Sequence, residues 1–298
     1  MNMVRTYPVV RPDYVKVRIP SGESFVKIRN TLNERSLHTV CQEARCPNIA
    51  ECWDSGTATF MILGKNCSRG CRFCSVTHGR MTPPDPLEPE KIAESVRIMH
   101  LDYVVITSVD RDDLPDQGSS HFASVIQRVK KEGCRVEALI PDFQGNLDLV
   151  KKICDQNPEV ISHNIETVRR LTPTVRDPRA GYDQSLSVLS FISRNNTVAK
   201  SSIMLGLGET DQEVLSTMED LLSVGVSILT IGQYLRPSKM QLPVTEYCSM
   251  ERFNMFREKG MEMGFDFVAS GPLVRSSYRA AEAFLRRGKN GNGKINFS

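Results

Sequence analysis

Six short apolar runs, each followed by a stretch of helical periodicity, govern what this chain can become. They are TATFMIL (57–63), DYVVITS (102–108), CRVEALIP (134–141), EVISHNIE (159–166), TVAKSSIMLG (197–206) and SILTIGQY (227–234). Runs of this length, rich in Val and Ile, read as strands buried on both faces, as in a parallel sheet. Residues 90–100, 121–131, 147–154, 183–194, 211–224 and 251–263 read as helices. Thr210 and Glu213 have the S/T-x-x-E spacing of a capping box at the start of the fifth. Alternation in this number suggests an α/β protein whose parallel sheet forms a barrel, open or closed, and the fold expected is a partial (β/α)6 barrel, TIM-like. FDFVAS (265–270) reads as one further short strand.

The barrel is expected over 57–264. An N-terminal extension, 1–56, is broken by Pro8, Pro12, Pro20 and Pro47, with one helix expected over 25–37. The C-terminal extension, 265–298, ends in RRGKNGNGK, whose composition predicts disorder. The formal charge of +3 gives no domain-wide footprint for nucleic acid. No apolar run approaches the length of a membrane span, about 18 residues or more. The first residues lack an apolar leader, and Asp13 and Glu23 oppose a transit peptide. A cytoplasmic, monomeric protein without membrane or nucleic-acid partners is the expectation.

In barrels of this kind chemistry gathers at the C-terminal ends of the strands. CSRGCRFC follows the first run, TSVDRDD the second, HNIET sits at the fourth and GLGE follows the fifth. The nine cysteines include two tight triads: Cys67, Cys71 and Cys74, spaced C-x3-C-x2-C, and Cys41, Cys46 and Cys52, spaced C-x4-C-x5-C. In a chain of this size with no leader, clustered cysteines indicate metal rather than disulfides. Three thiolates on one loop can hold three irons of a [4Fe–4S] cube and leave the fourth open, and an open position marks a metal site that does chemistry. The alternative is a structural zinc site with a distant fourth ligand. Gly70 and Phe73 weigh against it.

C-x3-C-x-aromatic-C is the signature of the radical SAM enzymes, which CSRGCRFC resembles without mismatch. The resemblance implies that the open iron chelates S-adenosylmethionine. The reduced cluster would cleave it to methionine and a 5′-deoxyadenosyl radical, with Phe73 near the adenine. The second triad, CQEARCPNIAEC, and GPLVRSSYRA (271–280) resemble the lipoyl synthase family. ATFMILG, YVVITSVDRDDLPD, LIPDF, HNIETV, MLGLGE and VASGPLVRSSY extend that likeness from about Phe25 to about Ala280. The family resemblance implies a second, auxiliary [4Fe–4S] cluster on Cys41, Cys46, Cys52 and Ser277. That cluster would be the sulfur donor for insertion at C6 and C8 of a protein-bound octanoyl-lysine. A serine oxygen is a poor iron ligand beside thiolates, which suits a cluster that must come apart. The implied partners are an octanoylated lipoyl-carrier domain (a dehydrogenase E2 domain or the glycine-cleavage H protein), an iron–sulfur carrier and an electron donor.

The same resemblance points Thr107, Ser108, Asn164 and Glu166 at the cofactor. Asn164 and Glu166 are two apart and so share a strand face. A helix cap or a buried polar network would explain the same residues. Lys200 is read either as reaching the cofactor or as a core-edge lysine, and Gly206 as a backbone approach to adenine. Trp53 is expected to shield the auxiliary cluster. His163 is assigned no catalysis, and Cys134, Cys154 and Cys248 read as small buried apolar groups.

Overall fold

The computed structural model describes residues 11–15, 30, 38–39, 48–49, 58–277 and 280–286. Cys41, Cys46, Cys52, Trp53 and the tail from 287 lie outside them, as does the helix expected over 25–37 apart from the helical Asn30. The strands are β1 (His38–Thr39), β2 (Thr59–Ile62), β3 (Asn66–Cys67), β4 (Thr77–His78), β5 (Tyr103–Ser108), β6 (Arg135–Leu139), β7 (Val160–Ser162), β8 (Val198–Leu205), β9 (Val226–Gln233) and β10 (Phe267–Gly271). The helices are α1 (Glu88–Ile98), α2 (Ser119–Lys130), α3 (Leu147–Cys154), α4 (Thr172–Val175), α5 (Tyr182–Arg194), α6 (Asp211–Ser223), α7 (Met250–Met263) and α8 (Ala280–Arg286). Each of the six expected helices is present within two residues of its expected ends.

One sheet runs in the order β1-β2-β5-β6-β7-β8-β9-β10. Only β1 is antiparallel to its neighbour. The FDFVAS segment joins as a seventh parallel strand, with Phe267 opposite Ile228. Parallel neighbours need a crossover, and α1, α2, α3, α5, α6 and α7 supply them. The crossovers cover the outer face. Val104 and Ile106 of β5 point into the core with Phe122 and Val125 of α2, all fully buried. The capping box of α6 forms as expected, Thr210 and Glu213 bonding reciprocally.

The run EVISHNIE departs from expectation, because only Val160–Ser162 is strand. After it the chain curls away, and Glu166 takes φ 69°, a region costly for a residue with a Cβ. Hydrogen bonds on both sides hold it there, from Glu166 N to Ser202 O at 3.0 Å and from Met204 N to Glu166 O at 2.8 Å.

The inner face of the barrel has a sealed floor. Glu137 accepts from Lys200 Nζ at 2.8 and 3.0 Å, from Ser162 Oγ at 2.6 Å and from Tyr103 OH at 3.0 Å. Beside it, Ala280, Ala281 and Phe284 of α8 pack on Tyr103, Val105 and Leu139. The Tyr103 and Phe284 rings lie 6.2 Å apart. Lys200, one candidate for the cofactor, therefore serves the floor instead. It is the third residue of an eight-residue strand, far from the end where the site forms, and it is 1% exposed. Lys200→Met is expected to lower unfolding free energy by roughly 3–5 kcal/mol, because it leaves the Glu137 charge buried alone. Urea unfolding checks this, and the double change with Glu137→Gln should recover most of the loss.

Candidate active site

The C-terminal strand ends surround a cleft of about 690 Å³. Cys67, Cys71 and Cys74 stand on its wall, on the loop that leaves β2. A two-stranded parallel ribbon, β3 with β4, brackets that loop. Three other segments pin its backbone: Ser68 N donates to Asp110 O at 3.0 Å, Arg72 N to Val175 O at 2.9 Å, and Leu242 N to Arg72 O at 3.1 Å.

Each sulfur receives one peptide N–H: Cys67 from Arg69 at 3.4 Å, Cys71 from Asp177 at 3.3 Å and Cys74 from Val76 at 3.4 Å. Burial pushes the free thiols up, Cys67 and Cys71 to about 12 and Cys74 to about 11. Metal binding must therefore displace the protons, and the three N–H donors are placed to stabilise sulfur as thiolate.

Sequence reasoning missed the group that holds the loop rigid. Arg69, 3% exposed, forks onto Asp112 at 2.8 and 2.9 Å and reaches Asp142 at 2.7 Å and Asp110 at 3.4 Å. Bidentate Arg–carboxylate pairing fixes direction as well as charge. The acidic residues of TSVDRDD thus clamp the cysteine loop to the ends of β5 and β6. Burial pushes the Asp110 carboxyl up to about 6 against the pull of Arg69. The signal for this lay in Arg69 inside the triad and the acidic run after the second strand.

The structure brings Phe73, Thr107, Ser108, Asn164, Glu166 and Ser277 to the same cleft. Thr107 Oγ1 donates to Leu139 O at 2.8 Å. Asn164 Nδ2 donates to Glu166 Oε1 at 3.1 Å, as their shared face predicts. Ser108 Oγ and Asn164 Oδ1 are buried with no hydrogen-bond partner among the described residues. Buried polar atoms without partners are costly and call for a ligand. Burial raises the Glu166 carboxyl, opposed by Arg176 and the Asn164 amide. Phe73 packs beside Val175, Leu207 and Tyr234.

Gly206 is not brought to the cleft. Its φ of 97° and its surroundings explain the glycine, since a Cβ would meet Gln233 Nε2 at 2.2 Å and Glu246 O at 2.5 Å. Its N–H and that of Leu207 donate to Glu209 at 2.6 and 3.0 Å, so GLGE is a turn closed by its own carboxylate.

Arg176 and His163 reach the cleft wall without having been foreseen as site residues. His163 Nδ1 donates to Ile140 O at 3.0 Å, Nε2 accepts from Ser185 Oγ at 2.9 Å, and that oxygen accepts from Arg176 at 2.7 Å. Burial pushes His163 down to about 4. It is a neutral brace that orients the Arg176 cation. Glu209, Glu246 and Cys248 also bring three ligand atoms within 4.8 Å of one another. Arg252 bonds to Glu246 and Cys248 there, and it supplies the positive charge.

Ser277 is placed by a close crossing. The turn after β10 lays Val274 O over Gly232, where a Cβ would come within 2.1 Å. Arg275 donates to Gln233 O at 3.2 Å. From the other end of the chain Asn48, two residues after Cys46, donates to Leu273 O at 2.5 Å. The neighbourhood of the second triad and the segment of Ser277 therefore touch, 225 residues apart in sequence.

Residues 61–221 match the Radical SAM superfamily, and residues 5–46 match the N-terminal domain of lipoyl synthase of that family. The chain is 67% identical over 278 residues to a lipoyl synthase of Picrophilus torridus, covering 93% of this chain and 97% of that one. It is 54% identical to a lipoyl synthase of an Anaeromyxobacter species, covering 93% and 95%. Among solved structures, methylornithine synthase is similar with a TM-score of 0.54 at 12% identity, over 86% of this chain and 85% of that one, a likeness of fold alone.

Proposed function

The chain belongs to the lipoyl synthase family of the radical SAM superfamily, and on that premise we propose the residue roles that run its reaction. It is a sulfurtransferase that converts octanoyl-lysine on a lipoyl-carrier protein to lipoyl-lysine, with S-adenosylmethionine and two [4Fe–4S] clusters. Cys67, Cys71 and Cys74 hold the cluster that meets S-adenosylmethionine. Cys41, Cys46, Cys52 and Ser277 hold the auxiliary cluster, which gives up the sulfur. When bound, these groups supply one-electron cleavage of the sulfonium and the sulfur atoms. Each of the two carbons loses one hydrogen and gains one bond to sulfur.

The protein's own part is to orient and to exclude water. Thr107, Ser108, Asn164 and Glu166 receive the polar end of S-adenosylmethionine, and Phe73 lies against its adenine. The observation that carries this is the placing of three N–H-bonded sulfurs across one cleft from the partnerless Ser108 Oγ and Asn164 Oδ1. Residues 1–56 and 265–298 are read as the two extensions that hold the auxiliary site against the barrel of 57–264, the second lending β10 to the sheet, and the Asn48 to Leu273 bond supports their meeting there.

The carrier is a dehydrogenase E2 domain or the glycine-cleavage H protein, served by an iron–sulfur carrier and an electron donor. No helix among the described residues is long and apolar enough to cross a membrane, which fits work in the cytoplasm. Anaerobic turnover of an octanoylated carrier peptide, followed by mass spectrometry, should show a gain of two sulfurs. The reconstituted chain should hold about eight irons, two cubes of four. A colourless preparation stoichiometric in zinc, leaving the peptide unchanged, would overturn the reading.

A further inference from the structure

Three of the segments that line the cleft have a charge unlike the rest of the chain. Over the whole sequence, 38 Lys and Arg nearly balance 35 Asp and Glu. Residues 64–84, 234–245 and 271–277 contain no Asp or Glu at all. These are the cysteine loop with its ribbon, the loop after β9 and the crossing segment, and all three line the cleft. Lys65, Arg72, Arg80, Arg236 and Lys239 are exposed on them. None carries a carboxylate ion-pair partner among the described residues. Elsewhere Lys91, Arg128, Arg170 and Arg252 each sit against a carboxylate, while the exposed Arg97, Lys131, Arg135 and Arg194 are scattered singly over other elements. The rim's cationic side chains therefore leave their field directed outward.

The rim is also built to be stiff. In the loop after β9, Arg236 donates to Gln241 O at 2.8 Å and Lys239 O at 2.6 Å, and Ser238 Oγ to Gln241 Oε1 at 2.7 Å. Gln241 then donates to Cys74 O at 3.1 Å, joining this loop to the cysteine loop. Met240 projects from that turn 89% exposed. A large apolar side chain held fully in water beside cations, on an ordered turn, has the composition of an interface rim.

We propose that this rim is the docking surface for the octanoylated carrier domain, and that it selects a carrier whose face around the modified lysine is rich in carboxylates. The inference rests on the sulfur-insertion reading above and deepens it. An octanoyl-lysine arm has about thirteen bonds of roughly 1.5 Å and reaches on the order of 15 Å. The carrier's folded surface must therefore lie on the cleft mouth while the acyl carbons are inside. Contact with unpaired cations there rewards a carboxylate-rich face and opposes a basic one. Met240 supplies an apolar contact within that face.

The test reverses two rim charges that do not line the cleft, Arg80→Glu with Lys239→Glu, in the reconstituted full-length chain. KM for an octanoylated carrier domain should rise about tenfold at low salt, and its salt dependence should flatten, with kcat unchanged. Turnover of a short octanoyl-lysine peptide should keep both parameters. Amide replacement of the carboxylates flanking the carrier's lysine should raise KM for the unaltered enzyme by a similar factor. An unchanged carrier KM overturns the proposal, and so does an equal loss with carrier and peptide. A single-stranded oligonucleotide that binds the rim in preference to the carrier would also overturn it. An unaltered enzyme inactive on both substrates would instead fail the sulfur-insertion reading, and the assigned occupant with it.

Discussion

Cys71→Ala is expected to bring 5′-deoxyadenosine formation from S-adenosylmethionine and dithionite to background, and to lower iron from about eight to about four per chain. The three sulfurs are not interchangeable in how they are held. Cys71 alone takes its N–H from another element, that of Asp177, while Cys67 and Cys74 are served from within their own loop. Its removal leaves two thiolates for a cube that needs three. It also leaves the Asp177 N–H facing a methyl group. The fold itself should survive. Cys71 is only partly buried and belongs to none of the core clusters, so the urea midpoint of the metal-free chain should match that of the unaltered protein. Iron and 5′-deoxyadenosine are read on the same sample. Retention of 5′-deoxyadenosine formation would remove Cys71 from the cofactor site.

Ser277→Ala is expected to leave cofactor cleavage within about twofold while lipoyl product falls by at least about a hundredfold, the scale of losing a group used only in one step. The separation follows from position. Ser277 stands on the crossing segment, held by Gly232, Gln233 and Asn48, and it takes no part in the Cys67–Cys74 loop or its carboxylate clamp. Ser277→Cys replaces a hard oxygen with a soft sulfur, and a more tightly held cluster should release its sulfur less readily. That variant should keep about eight irons and still make little product. Normal lipoylation by Ser277→Ala would remove the serine from the auxiliary site.

The sheet was legible because its strands are buried on both faces, and unbroken runs such as DYVVITS and SILTIGQY admit little else. The cysteine loop was legible because ligand spacing is local. Lys200 misled because a lysine in an apolar strand looks the same whether it serves a site or a floor. Only its place along β8 and the presence of Glu137 on β6 decide, and both belong to the sheet register rather than to the strand. Gly206 is ambiguous in the sequence for a similar reason. Its neighbours are Gln233 and Glu246, whose approach depends on how the loop after β9 returns. Arg69 was overlooked because its three carboxylates come from two other strand ends. Arg176 follows a single helical turn, Thr172–Val175, too short to leave a periodic trace.

The sealed floor of the barrel has a kinetic consequence. Glu137 and Lys200, each 1% exposed, with Phe284 of α8 packed beside them, close that end of the barrel among the described residues, so a ligand approaches from the side of the strand ends. A docked carrier would cover that side while its acyl arm is inside, so S-adenosylmethionine must load first. Its fragments are trapped beneath the carrier until the carrier lifts. Two sulfurs demand two loadings, so the carrier's face must lift between them far enough for the cleavage products to leave. Because its first new sulfur would still belong to the auxiliary cluster, the half-converted carrier should stay on the chain through the second loading, and a pulse–chase with unlabelled carrier would leave the label there.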